Sequence, residues 1–467
     1  MLGKYNLGLD NLIEYLFKFV STRLFLQLTF LWFILQGILF AVSTKFGIPP
    51  DESYHLSFIK LFAENNLSPF ITNQDNYFHL GEVIRIPFFL YHYVFSFIYI
   101  LFQDNEIAYI VIRLMNVILG ALSLFITLKI ASEIKLSNLV KNLSLFMLSN
   151  TLMFVFLSSS INYDNLFITL SLVCVLFLLR LLKELKPLDL LIFCNVIVAG
   201  SLVKINFLPI AAVCVFILLW TYRTKLYEIG STFLKLNYKH FSVFPMIFIL
   251  IVLIIFAVHK YGYNIVTYQS ISPRCDEINL IEYCRQNAVF ARNERIALDA
   301  KRTPTKDSFE YFFDWVPLMF ERTYGIFSHQ IMLPNQFIFK YIHVYVILAF
   351  FAFARLYSRK ENSMTIILII LLFNLSLIFM ESLSTYTNSG RFGFATQGRY
   401  LFGVLPLIYI AANYYILELL DMNIKIKGAF VLISLLIFSV SSLPTYLLFS
   451  DVTWYSDQTK NLKLKFE

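Results

Sequence analysis

Two adjacent carboxylates and a histidine follow the first long apolar run of the chain, in the stretch GIPPDESYHLSF at residues 47–58. If a helix begins near Pro50, Asp51 and Glu52 lie in its first turn, where the helix dipole favours anions. His55 then shares a face with both, because side chains three and four positions apart are neighbours on a helix. Such a group either caps a helix at the membrane surface or supplies a partly desolvated general base.

Two further polar segments interrupt the apolar chain. Asp164 follows the third apolar run, within SSSINYDNLF at residues 158–167, and Lys204 breaks the apolar stretch 188–222. An acid so close to hydrocarbon is costly unless it is paired or faces a cavity, although a helix N-cap would also explain Asp164. Lys204 either extends its ammonium group to lipid headgroups or pairs with a lipid-linked phosphate.

The last polar segment is TYTNSGRFGFATQGRYLFGVLP at residues 385–406. The planar guanidinium groups of Arg391 and Arg399 suit phosphate oxygens, and the glycines between them allow the backbone to approach a ligand closely. Arg399 lies nearest the predicted membrane boundary, beside Gln397 and Tyr400. A structural ion pair between Arg399 and an acid of the other segments is the alternative to phosphate binding.

Two other groups of residues permit separate chemistry. Glu52, His55 and His79 are candidate ligands of a divalent metal, although their spacing is not diagnostic of one. Cys275 and Cys284 lie in a polar loop of the predicted topology, and we expect them to form a disulfide in an oxidising compartment. Two thiols without a covalent bond are the alternative.

The rest of the chain has the composition of a membrane protein. Its 467 residues are 58% hydrophobic and 15% charged, and apolar runs long enough to span a bilayer recur throughout. The positive net charge does not indicate nucleic-acid binding, because the basic residues fall mostly in short loops. We predict an all-α polytopic fold of about 11 transmembrane helices within residues 22–448. The predicted spans are 22–44, 106–129, 142–160, 164–182, 188–203, 206–222, 243–262, 338–357, 363–381, 400–420 and 428–448.

Basic residues set the expected orientation. They cluster in alternate loops, which the positive-inside rule places in the cytoplasm together with residues 1–21. The first outer loop (45–105), the large outer loop (263–337) and the tail (449–467) then lie outside, as do the polar segments described above. Residues 84–102 are apolar enough to span, but a span there would move the basic loops to the outside. We predict an interfacial or re-entrant helix instead.

These motifs resemble those of the GT-C membrane glycosyltransferases, integral enzymes that use sugars linked to polyprenyl or dolichyl phosphate. The resemblance runs from residue 22 to about residue 420, and it is closest to a bacterial branch of predicted membrane proteins. The motifs that carry it are PPDESYH at 49–55, NYD at 162–164 and QGRY at 397–400. It implies a GT-C-like helical bundle in the inner (plasma) membrane, with interfacial helices in the first outer loop.

The resemblance also implies roles for individual residues. Asp51 would be the catalytic base, with Asp164 and Glu52 assisting, and cations would hold the lipid phosphate. The sugar would pass outside the cytoplasm, with inversion, to a hydroxyl of a glycan, lipopolysaccharide, lipid or protein. A divalent metal is an open alternative for stabilising the leaving phosphate. The substrate-binding residues expected on these grounds are His55, Lys204, Arg391, Gln397, Arg399 and Tyr400.

Two other functions fit part of the pattern. A flippase or transporter of lipid-linked saccharides would also need outer cations, but it should place polar groups near the bilayer midplane. An O-antigen ligase or polymerase would also act on polyprenyl-linked sugars, but such enzymes rely on arginine and histidine in a large outer loop. The acid pair of the first outer loop favours the transferase.

Overall fold

The computed structural model describes residues 2–69, 89–102, 105–234, 243–286, 304–327, 331–336, 362–394 and 396–457, with Thr459 and short pieces between 290 and 345. These ranges are mainly helical. The helices are α1 (Leu2–Val20), α2 (Arg23–Ser43), α3 (Glu52–Glu64), α4 (Leu90–Leu101), α5 (Asn105–Glu133), α6 (Asn138–Ser149), α7 (Leu152–Ser158), α8 (Asp164–Lys183), α9 (Pro187–Val203), α10 (Phe207–Thr221), α11 (Leu226–Leu234), α12 (Val243–Ala257), α13 (Tyr263–Tyr268), α14 (Cys275–Ile278), α15 (Ile281–Cys284), α16 (Ser308–Tyr324), α17 (Asn362–Ser389), α18 (Leu405–Tyr414), α19 (Ile424–Ser441) and α20 (Leu443–Phe449).

Shorter regular segments complete the described chain. Strands β1 (Ile326–Phe327) and β2 (Ile331–Met332) pair antiparallel, with Ile326 opposite Met332. The remaining segments are the π-helical turns Val258–Gly262 and Tyr415–Leu419 and the 3₁₀ turns Gly398–Gly403 and Val452–Trp454.

The helices make this an all-α polytopic membrane protein. Among the described residues, six segments are long and apolar enough to cross a bilayer: Arg23–Ser43, Glu106–Glu133, Asp164–Lys183, Val243–Tyr268, Ser363–Ser389 and Ile424–Ser441. Two bent pairs raise that number to as many as eight, since α6 and α7 meet at 68° and α10 and α11 at 111°. The predicted spans at α9 and α18 are shorter helices, and the predicted span 338–357 lies mostly outside the described residues.

The apolar segment of the first outer loop is too short to span the membrane in its described part. Helix α4 has 12 residues, and at a rise of 1.5 Å per residue it is about 18 Å long. The hydrocarbon core is about 30 Å thick. Helix α4 packs against α3 and α5 with one face, where Tyr91 and Phe95 are buried, while Phe97 and Leu101 on its other side are exposed. Residues 84–88 of the predicted segment lie outside the described residues, so the interfacial or re-entrant helix stays a prediction.

Contacts between loops show which helix ends lie together. Thr44, just after α2, forms a β-bridge with Tyr455 of the C-terminal tail. The tail therefore lies at the same end of the bundle as the PPDESYH loop. Lys183 at the end of α8 pairs with Glu133 at the end of α5, with 2.7 Å between Nζ and Oε1. Both groupings match the loop alternation predicted from the basic residues.

The predicted large outer loop (263–337) contains a covalent link and an amphipathic helix. Cys275 and Cys284 form a disulfide between α14 and α15, with 5.8 Å between their Cα atoms. The Asp307 side chain caps α16, as it accepts hydrogen bonds from two backbone N–H groups of the first turn. Tyr311 and Trp315 of α16 pack into a buried aromatic cluster with side chains of α17. Helix α16 is thereby docked on the membrane domain.

Candidate functional site

Asp51 connects α2 to α3 with an unusual backbone. Its φ of 56° and ψ of 14° are left-handed, a conformation that costs a non-glycine residue about 1–2 kcal/mol and is best tolerated by Asn and Asp. Asp51 precedes α3 at the N-cap position, but its side chain makes no capping hydrogen bond. Instead, the carboxylate is 43% exposed and accepts a hydrogen bond from Arg399 Nη2 at 2.6 Å. The side chain is therefore engaged in an ion pair and not in helix capping.

Asp164 is the first residue of α8, and its side chain is buried. Tyr163, and not Asp164, occupies the N-cap position of this helix. One carboxylate oxygen of Asp164 lies 2.5 Å from Lys204 Nζ, and the other lies 3.8 Å from Arg399 Nε. The sequence-predicted residues Asp51, Arg399, Asp164 and Lys204 thus form one continuous ion-pair cluster. Each of them lies at or beside the end of a helix.

The ion-pair cluster holds two acids and two cations, and the cations respond differently to burial. Burial lowers the pKa of Arg399, but the carboxylates of Asp164 and Asp51 outweigh it, so the net shift is upward and the guanidinium stays charged. Burial also lowers the pKa of Lys204, and although Asp164 opposes this effect, the pKa remains below its usual value. Of the two cations, Arg399 is therefore the one whose protonated form the site stabilises more.

Several polar atoms of the ion-pair cluster are buried without a hydrogen-bond partner in the described chain. They are Nε and Nη1 of Arg399 and Oδ2 of Asp164. Buried polar atoms are almost always satisfied in folded proteins, and exceptions point to a missing ligand or to function. Arg399 Nη1 can therefore still donate a hydrogen bond to an anionic oxygen of a ligand.

A cavity adjoins the ion-pair cluster on the side of Lys204. Its volume is about 550 Å³, and it lies between α10 and α17 with Lys204 and Tyr400 in its wall. The Lys204 ammonium also sits among three aromatic rings, 4.8 Å from the centroid of Tyr163, 5.5 Å from Tyr400 and 5.6 Å from Phe167. Aromatic faces attract a cation, so the rings hold the Lys204 ammonium at the cavity wall.

Glu52 is placed quite differently from Asp51. Its two carboxylate oxygens accept hydrogen bonds from Arg113 Nε at 2.7 Å and Nη2 at 2.6 Å, and both side chains are fully buried. The backbone N–H groups of Gly47 and Ile161 also donate to Glu52. Arg113 in turn donates to two carbonyl groups at the end of α2. The Glu52 carboxylate has no oxygen left for a proton or a metal, and this geometry favours a structural role over the predicted catalytic one.

Arg113 was missed by the sequence analysis, although a signal for it existed. It is an ionisable residue inside the predicted span 106–129. A charge within a span requires a partner or a water-filled cavity. A search for that partner would have led to an acid near the end of a neighbouring span, and Glu52 is such an acid.

His55 packs beside the ion-pair cluster as a neutral side chain. Its Nδ1 lies 2.8 Å from Nε2 of His92, and its ring centroid is 4.5 Å from that of Tyr163. Burial lowers the pKa of His55 to about 3, against the opposing charges of Asp51 and Asp164. His79, the other histidine considered as a metal ligand, lies outside the described residues. Within the described ranges, no three His, Cys, Asp or Glu side chains converge as a metal site.

The QGRY turn that carries Arg399 is pressed against α16. A Cβ atom on Gly398 would lie only 2.2 Å from the backbone carbon of Arg322. Arg322 also donates to the carbonyl oxygens of Gly393 and Thr396, in the segment just before the turn. The packing of α16 therefore helps to determine where the Arg399 guanidinium lies.

The other residues predicted in this segment have separate positions. The Oε1 atom of Gln397 is buried without a hydrogen-bond partner among the described residues. Arg391 is half-buried, and its backbone N–H donates to the Ser389 hydroxyl at the end of α17. Tyr400 faces both Lys204 and the cavity. Of these three residues, Tyr400 is the one that the structure brings to the ion-pair cluster.

Replacing Gly398 with alanine is expected to displace the QGRY turn and to destabilise the protein by about 1–3 kcal/mol, as overpacking usually does. The added Cβ meets backbone atoms of α16, which cannot rotate away. Thermal unfolding in detergent measures the loss. Gly230→Ala in α11 is the matched control, because its Cβ would meet nothing within 4 Å. Equal melting temperatures for the two variants would contradict the close packing of Gly398.

One comparison with known proteins adds to this geometry. The family model described as "Predicted membrane protein (DUF2142)" matches residues 90–408. That range contains Asp164, Lys204 and Arg399 and begins after Asp51. No curated protein matches the chain. Because the matched range covers more than half of its length, the chain belongs to the DUF2142 family of predicted membrane proteins.

Proposed function

We propose that the protein is a membrane glycosyltransferase that moves a sugar from a polyprenyl-phosphate donor to an acceptor hydroxyl on the extracytoplasmic side. The observation that carries this proposal is the ion-pair cluster. It combines a partly exposed carboxylate, Asp51, with two buried cations beside a cavity between membrane helices. A base and a phosphate site are the two requirements of this transfer.

The donor phosphate would bind at the end of the cavity next to the ion-pair cluster, against the Lys204 ammonium and the Nη1 atom of Arg399. Arg399 Nη1 lacks a partner among the described residues, and Lys204 borders the cavity, so both can donate charge-assisted hydrogen bonds to phosphate oxygens. The apolar part of the cavity wall, including Phe167, Leu208 and Leu377, would contact the first units of the lipid chain. The phosphate and the lipid chain of the donor would thus contact different parts of the cavity wall.

The Asp51 carboxylate would accept the proton of the acceptor hydroxyl as its oxygen attacks the anomeric carbon. The bond between that carbon and the phosphate oxygen breaks, and its electron pair leaves with the lipid phosphate. Arg399 and Lys204 stabilise the charge that develops on this leaving group. One displacement of this kind inverts the anomeric configuration and leaves the proton on Asp51.

Two features support the extracytoplasmic side. The ion-pair cluster lies at helix ends that alternate with the basic loops, which the positive-inside rule assigns to the cytoplasm. The Cys275–Cys284 disulfide lies in the predicted large outer loop, and disulfides persist in oxidising compartments. The position of the four charges at helix ends also favours surface chemistry over a flippase, which would place its site near the bilayer midplane.

The test is to reconstitute the full chain in liposomes with a panel of polyprenyl-phosphate sugars and a cell-envelope extract as the source of acceptors. Release of free polyprenyl phosphate, with the sugar recovered in the extract, is the expected result. Glu133→Gln, at the opposite end of the bundle, should release lipid phosphate at the wild-type rate. Movement of intact donor across the bilayer without release would instead identify a flippase, and absence of both would contradict the transferase.

A further inference from the structure

Helix α17 carries one acidic or basic side chain, Glu381, in the sequence NSMTIILIILLFNLSLIFMESLSTYTNS. A charge in a membrane-spanning helix is costly, and such residues almost always face a partner or a cavity. Glu381 lines the same cavity as Lys204 and Tyr400. Among the described residues it forms no ion pair, and Lys204 is already paired with Asp164. The cavity wall thus presents a carboxylate as well as a cation.

The cavity wall carries further polar side chains. Asn206, Ser382 and Thr385 line the cavity together with Glu381, and they can donate or accept hydrogen bonds. A carboxylate repels a bare phosphate, so a wall that carries both Glu381 and the proposed phosphate-binding Lys204 calls for a second feature in the ligand. A phosphate joined to a group with several hydroxyls has both features. The phosphate pairs with the lysine, and the hydroxyl groups donate hydrogen bonds to the carboxylate.

We propose that Glu381, with Asn206 and Thr385, binds the hydroxyl groups of the sugar that the lipid phosphate carries. This assignment rests on the proposed function, because it takes the ligand to be a lipid-phosphate sugar. The Glu381 carboxylate accepts hydrogen bonds from the sugar while Lys204 holds the phosphate. The same carboxylate discriminates against polyprenyl phosphate without a sugar, which is the product that must leave.

The test is equilibrium binding of the full chain in detergent to three ligands: polyprenyl phosphate, the same lipid bearing one sugar, and phosphatidylethanolamine. The wild type is expected to prefer the sugar-bearing lipid, and Glu381→Gln to reduce that preference about tenfold or more, the usual effect of losing a charge-assisted hydrogen bond. Affinity for bare polyprenyl phosphate should stay the same or rise. Glu64→Gln, at the exposed end of α3, is the matched control and should change neither affinity.

Three results would overturn the assignment. They are an unchanged preference in Glu381→Gln, an equal loss of affinity for both polyprenyl lipids, and tighter binding of phosphatidylethanolamine than of the sugar-bearing lipid. The outcome is separable from that of the transfer reaction. A Glu381-dependent preference without any turnover would support the sugar site and count against the transferase, whereas turnover with unchanged sugar preference in Glu381→Gln would count against Glu381 alone.

Discussion

Asp51→Asn is expected to lower the rate of sugar transfer by about 10²–10⁴-fold, the usual contribution of a general base, while donor binding persists. The substitution removes the proton acceptor but keeps a side chain of nearly the same shape. Arg399 retains the Asp164 carboxylate near its Nε atom, so the cation stays in place. Release of polyprenyl phosphate measures the rate, and equilibrium binding of the donor measures the integrity of the site.

Asparagine is chosen because it separates the base from the two structural roles that Asp51 could have. It tolerates the left-handed backbone, and it is as good an N-cap residue as aspartate. Asp307→Asn is the matched control, since the Asp307 side chain does cap a helix, and it should leave the rate unchanged. If Asp51→Asn also turns over at the wild-type rate, Asp51 is not the base.

Breaking the Glu52–Arg113 pair from one side is expected to have the largest effect on stability. Glu52→Gln leaves the Arg113 guanidinium buried without its counter-charge. Arg113→Met likewise leaves the Glu52 carboxylate buried without a counter-charge. Loss of one partner of a buried ion pair typically costs about 3–5 kcal/mol. The double variant should be less destabilised than the sum of the two, because no unpaired charge remains.

The measurement is the apparent free energy of unfolding of the four proteins of this double-mutant cycle in one detergent. Glu133→Gln is the control, because its Lys183 partner is 42% exposed and an exposed pair contributes about 0–1 kcal/mol. Additive losses in the double variant would show that the two side chains do not act as a pair. If Glu52→Gln and Arg113→Met lose less unfolding free energy than Glu133→Gln, the fold does not depend on the Glu52–Arg113 pair.

The sequence identified the residues of the ion-pair cluster because each is an ionisable group at the end of an apolar run. Positions of that kind share one depth in a membrane, and alternation of the basic loops places them on one side. The roles of Asp51 and Glu52 could not be separated in the same way. Neighbouring residues at the start of a helix point in different directions, and only the packing of α5 shows that Glu52 faces inward.

Two of the charges inside helices, Arg113 and Glu381, are harder to predict. Arg113 lies within a predicted span and Glu381 at the predicted end of another, so both belong to segments whose overall pattern is apolar. Helix α17 continues to Ser389, so Glu381 lies within the helix and not at its boundary. Helix lengths depend on tertiary contacts as well as on hydropathy, such as the packing of α16 against α17. These contacts are not visible in the hydropathy pattern.

The backbone at residue 51 limits which amino acids the position can accept. Left-handed geometry admits glycine, asparagine and aspartate at low cost and penalises the rest, glutamate included. A carboxylate base, by contrast, must be aspartate or glutamate. Of these two, only aspartate tolerates the backbone, so under the proposed function this position combines a conformational requirement with a chemical one. Glutamate in place of Asp51 would keep the negative charge but would disfavour the left-handed turn that orients the carboxylate toward Arg399.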